Sequence, residues 1–133
     1  MSNQELVRKS HKRVNNLFRA YKNNEDVILA YATVTAFKYL EERKHISDKE
    51  LEQFKTWKDT YPDRTGLLEA YAKILLARWF NIVESFEEDK AKTIFKEVEV
   101  IAKVLAEQYG MTELLFRTIQ IRVMGSYFDF YYL

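Results

Sequence analysis

Residues 65–84 read TGLLEAYAKILLARWFNIVE, and this stretch decides the fold class. Leu67, Leu68, Ala70, Tyr71, Ala72, Ile74, Leu75, Leu76, Ala77, Trp79, Phe80, Ile82 and Val83 leave almost no polar surface at a helical repeat. A helix that is apolar nearly all round is central, either in its own core or in a subunit interface. Lys73 and Arg78 break the run, so it falls short of the roughly 20 apolar residues that a membrane-spanning helix needs.

Working outward, Ser47 and Glu50 form an S-x-x-E capping box. It predicts a short helix over about 48–60, stopped by Tyr61-Pro62-Asp63. The apolar side of that helix is thin, being Leu51, Phe54 and Trp57, so it is expected to lie across the surface of the core. Before it, Asn23 and Asn24 followed by Glu25 and Asp26 mark one helix ending and another beginning. The new helix is predicted over about 25–44, with Val27, Ile28, Ala30, Tyr31, Val34, Phe37, Lys38 and Leu40 on its inner face.

On the other side, Ser85 with Glu88 gives a second capping-box pattern. The helix it predicts carries Ala91, Ile94, Phe95, Val98, Ile101, Ala102 and Leu105 and ends at Tyr109-Gly110, with glycine in its usual place beyond a helix end. Thr112 can cap a last helix carrying Leu114, Leu115, Phe116, Ile119, Val123 and Met124. The chain closes with SYFDFYYL, five of whose last seven residues are aromatic. Exposed, such a tail is an aggregation hazard, so it is expected to pack on its own bundle or on another subunit.

The expected fold is therefore all-α, a compact bundle of five or six helices. Three glycines and one proline disfavour an all-β fold with its frequent turns. A length of 133 residues suits one domain with a real core, and 47% hydrophobic with 31% charged residues is neither a disordered nor a membrane composition. The absence of cysteine excludes a disulfide framework, a thiolate metal site and a cysteine nucleophile. Lacking a signal peptide, the chain is expected in an intracellular or virion setting.

Function is carried by the opening segment, residues 6–22, LVRKSHKRVNNLFRAYK. At 100° per residue Leu6, Val7, Val14, Leu17, Phe18 and Tyr21 fall on one side, and Arg8, Lys9, Lys12, Arg13, Arg19 and Lys22 on the other. Residues 1–22 carry six cations and one anion, net +5, whereas the rest carries 15 cations and 19 anions, net −4. This polarity divides the chain into a basic N-terminal helix or arm, 1–22, and a helical body, 23–133. Ordinary solvated faces interleave Glu with Lys; here only Glu5 is at hand, so the cations repel one another and gain from an anionic partner.

Arg8, Lys12 and Arg19 lie within about 40° of arc, and Asn15 and Asn16 flank them as neutral donors suited to phosphate oxygens. Were all six cations to meet phosphates, the salt slope would be about −5, roughly 10³-fold in affinity between 50 and 200 mM salt. No helix-turn-helix or finger spacing accompanies them, so the contact is expected to be non-specific, with the phosphate backbone of double-stranded DNA the leading partner. The same residues could form an interfacial membrane helix. That reading is less favoured because the apolar side lacks Trp and later helices offer surface for it to pack on.

Other candidates are weaker. The chain lacks H-E-x-x-H, a Walker loop, G-x-G-x-x-G and G-x-S-x-G, so neither catalysis, nor a cofactor, nor a small-molecule substrate is expected. His11 and His45 read as surface histidines. Glu84, Glu87, Glu88 and Asp89 are explained by the dipole of a helix start, and no metal is expected there. Trp57 and Trp79, spaced among Leu and Ile, read as core rather than as stacking platforms.

Two resemblances follow. A basic, Asn-containing N-terminal helix before a helical body with an aromatic C-terminus resembles the major capsid proteins of filamentous viruses of hyperthermophilic archaea. That resemblance implies that Arg8, Lys9, Lys12, Arg13, Arg19 and Lys22 contact phosphates of enclosed DNA, while the later helices form an assembly surface with copies of the chain or a related subunit. The second covers Leu67 to about Phe116, where LLEAYAKILLARWF and DKAKTIFKEVEVIAKVLAEQYG are similar to a tetratricopeptide-type helical hairpin. The linker is off-register and the 34-residue period does not recur. It implies a protein-interaction adaptor, the alternative to a nucleic-acid-coating structural protein.

Overall fold

In the computed structural model, which describes residues 2–83, 85 and 87–127, the apolar stretch forms a helix from Thr65 to Ile82. Leu67, Ala70, Ala72, Ile74, Leu76, Ala77 and Trp79 are all at most 2% exposed, so most of this helix is covered, while Glu69, Lys73 and Phe80 keep partial exposure. It is the fourth of six: α1 (Asn3–Ala20), α2 (Glu25–Glu42), α3 (Asp48–Thr60), α4 (Thr65–Ile82), α5 (Glu88–Tyr109) and α6 (Glu113–Tyr127). Among the described residues there is no strand. The molecule is all-α.

The packing order follows from which helices have apolar surface to share. α4 touches α2, α3 and α5; α1 lies chiefly on α2, and α6 on α5. The two terminal helices therefore sit at the edges of a layered stack with α4 at its centre. From α5, Ala91, Phe95, Val98, Ala102 and Leu105 repeat at three and four residues and face the core. α3 contributes Phe54 and Trp57, both buried, and lies across the surface as its thin apolar side predicts.

The end signals act locally. Ser47 and Glu50 form both hydrogen bonds of the capping box. Asn24 caps α2 by accepting from the Val27 N–H, and Gly110 ends α5 with φ 68° while Met111 N–H reaches the Leu105 carbonyl.

Three expectations are corrected. Ser85 and Glu88 do not form a capping box: the Ser85 hydroxyl donates back to the Ile82 carbonyl, and α5 starts after Glu87 without a side-chain cap. The inner face of α2 is Ile28, Ala32, Thr35, Ala36 and Leu40; Ala30 and Phe37 are exposed. Small side chains at 32 and 36 let α2 pack tightly, and a pattern weighted towards large residues picks the wrong ridge. The basic helix begins earlier, capped by Ser2, and ends at Ala20, so Tyr21 is its C-cap and Lys22 lies in the following turn. The tail 128–133 and Glu84 lie outside the described residues.

Candidate nucleic-acid interface

The geometry of α1 is set by how few of its residues face inward. None is buried. Val7, His11, Val14 and Phe18, spaced by three and four, are half-covered against α2. Phe18 supplies the anchor: its ring stacks on Tyr31 of α2 at 4.4 Å and meets Trp57 of α3 edge-on at 5.5 Å.

With that face docked, Arg8, Lys9, Lys12, Arg13, Arg19 and Lys22 are all exposed. Among the described residues none of the six lies within ion-pairing distance of a carboxylate. Beyond residue 22 pairing is mixed. Lys38, Lys58, Arg64, Lys73, Arg78, Lys92, Arg117 and Arg122 each pair with an acid, whereas Arg43, Lys44, Lys49, Lys55, Lys90, Lys96 and Lys103 do not among the described residues. Of the two amides, Asn16 is exposed and can reach a ligand beside the cations, whereas Asn15 is half-covered on the α2 side.

The apolar side of α1 is split. Val7, Val14 and Phe18 turn towards α2, while Leu6, Leu17 and Tyr21 are 57%, 48% and 58% exposed. Among the described residues no helix is long and apolar enough to cross a membrane.

No protein-family model matches this chain, and neither does any curated protein or solved structure. The chemistry of the site therefore rests on its own residues.

His11 corrects the surface reading. Its ring sits between Tyr31 and Tyr39, 6.3 and 6.5 Å away, and its buried Nε2 has no protein partner. Burial pushes its pKa below the ordinary value near 6.5, and Lys38 and Lys44 add to the effect against Glu42. The α1/α2 seam thus favours the neutral imidazole over the charged one. Its position one and two turns from Val7, Val14 and Phe18 was the available signal.

One cleft adjoins this layer and another lies beyond it. The first, about 180 Å³, is lined by Phe18, Tyr31, Thr35, Glu50, Phe54 and Trp57, and the buried Thr35 hydroxyl has no protein partner. Burial alone would raise the Glu50 pKa, but hydrogen bonds from Tyr39 and from the Ser47 N–H and hydroxyl hold it below the usual value. The other, about 470 Å³, opens beside His45, Asp48, Arg78, Asn81, Glu87 and Lys90. Within it Arg78 donates to the Ile46 carbonyl and Asp48, and Asn81 accepts from the Ile46 N–H and donates to the Lys44 carbonyl, while Lys90 has no ion-pair partner among the described residues. His45 is exposed, as expected, and Trp57 and Trp79 are core residues. Among the described residues no group of three or more His, Asp or Glu converges as metal ligands.

Proposed function

We propose that this chain is a non-enzymatic structural protein that coats nucleic acid through the phosphate backbone and assembles with copies of itself or a related subunit, as in a capsid or nucleoprotein. One observation carries the nucleic-acid half. All six cations of residues 1–22 stand exposed on one short segment with no carboxylate beside them among the described residues, whereas eight of the fifteen cations beyond residue 22 are paired. Unpaired like charges held on one short rigid element raise its energy, and a polyanion removes that cost while releasing its own counterions.

α1 docks through Phe18 and presents Arg8, Lys12 and Arg19 as one row along its flank, with Lys9 and Arg13 facing outward. Such a row follows a phosphate strand and reads no base edges, so binding is independent of sequence. Double-stranded DNA is the proposed ligand, in a virion or an intracellular nucleoprotein.

The test is fluorescence anisotropy with labelled duplex DNA over about 50 to 200 mM salt. The full chain is expected to bind with a slope near −5, and the triple variant Arg8→Gln, Lys12→Gln, Arg19→Gln with a slope shallower by about 3. A full chain that ignores DNA at the lowest salt, or a triple variant that binds as well, overturns the reading in favour of the helical adaptor.

A further inference from the structure

α6 is apolar on two opposite faces. Leu114, Thr118, Ile121 and Gly125 point inward towards the stack. About half a turn away, Phe116, Ile119, Val123 and Met124 are 64%, 52%, 65% and 55% exposed. A helix apolar on two opposite faces has two surfaces to cover, and α6, at the edge of its own fold, covers only one of them within the stack. No other stretch of the described surface combines so many large exposed apolar side chains on one helix.

The charges of α6 decide what covers this face. It carries three, Glu113, Arg117 and Arg122. Each is engaged within the chain: Arg122 on Glu99 of α5 at 2.6 Å, Arg117 on Glu41 of α2 at 3.2 Å and Glu113 with Lys73 of α4 at 3.9 Å. The outward stripe therefore carries no charge of its own and is bordered by charges that each have a partner within the chain, Glu113 the most loosely. An anionic lipid surface or a nucleic acid needs free cations, which this face does not offer. A second copy meets it without like-charge repulsion, because the same cancellation holds on both sides.

We infer that the outer stripe of α6 is a self-complementary interface that packs against α6 of a second copy of this chain. Phe116, Ile119 and Val123 follow the three-then-four spacing of a helix-pair seam. In an isologous, antiparallel pairing centred near Ile119 and Gln120, the large Phe116 lies against the partner's smaller Val123, and the reverse contact follows by symmetry. This names the surface for the self-assembly half of the proposed function and rests on that half alone.

Sedimentation velocity on the full chain without nucleic acid, over a concentration series, tests it. The full chain is expected to run as a dimer or larger species, and Ile119→Glu to weaken the association by roughly 30-fold or more with helicity unchanged. Since the chain has no cysteine, Gln120→Cys adds a direct probe: it should form a disulfide-linked dimer on mild oxidation, while Thr33→Cys on the exposed side of α2 should not. An oligomer unmoved by Ile119→Glu and not cross-linked through Gln120→Cys overturns the surface and leaves self-assembly standing. A monomer at every concentration overturns both. A full-length monomer that associates only when the chain is stopped after Tyr127 assigns the stripe to residues 128–133 and overturns the second copy as occupant.

Discussion

The guanidinium of Arg78 in α4 donates to the main-chain carbonyl of Ile46 in the turn between α2 and α3. Ile46 is fully buried, so its peptide groups cannot turn to water. Asn81, one turn further along α4, completes the pair by accepting from the Ile46 N–H at 3.0 Å. A connecting turn is thus held to the central helix by two side chains that α4 otherwise had reason to exclude.

Arg78→Ala leaves that carbonyl without a donor, and the expected cost is roughly 2 kcal/mol by urea denaturation. The ion pair with Asp48 contributes little to this, because the Asp48 side chain is 90% exposed. Asp48→Asn should accordingly cost well under half as much, and equal losses would place the stabilisation in the ion pair instead.

His11 makes α1 sensitive to acid. Its pKa is lowered in the fold, chiefly by burial, so as the pH falls the unfolded chain takes up the proton first. The contribution is fully present above about pH 6.5 and is lost as the pH drops from there towards the lower folded value. Comparing urea midpoints at about pH 7.5 and about pH 5.5, the wild type should lose more than His11→Gln. Parallel losses in the two proteins would mean that His11 does not set the sensitivity.

Phe18→Ala should loosen α1 while the rest of the fold stays intact. Stacked and edge-on aromatic pairs contribute about 0.5–1.5 kcal/mol each beyond burial, and α1 has no buried residue to compensate. Amide hydrogen exchange in α1 should accelerate by on the order of tenfold or more, with α4 and α5 protected as before. Acceleration spread evenly over α4 would instead show that Phe18 supports the whole core.

Single-site changes on the basic row should add. Arg19→Ala alone is expected to make the DNA salt slope shallower by about 1 and to weaken binding to every duplex alike. A change confined to one sequence would point to base contacts rather than phosphates.

Much of this fold could be read in advance where the signal is local. The Ser47–Glu50 box and Pro62 bracket α3, and the all-round apolar run of α4 locates the centre. Ser85 failed as a cap because its hydroxyl found the Ile82 carbonyl, a choice that the spacing of Ser and Glu does not encode. Thr35, Ala32 and Ala36 of α2 were missed for another reason: close approach of two helices rewards small side chains, which hydrophobicity ranks low. The composition of the basic segment was plain, but whether its cations found acids in three dimensions was not, since such partners come from distant positions, as Arg117 and Glu41 do. His11 escaped because a polar ring facing two tyrosines looks, in one dimension, like any residue near a polar border.

With nearly its whole circumference occupied, α4 has little face left on which a new contact could be founded without dismantling the old ones. Variation that explores new partners is thereby channelled to the first and last helices, whose outer sides can be rewritten residue by residue while the centre stays as it is.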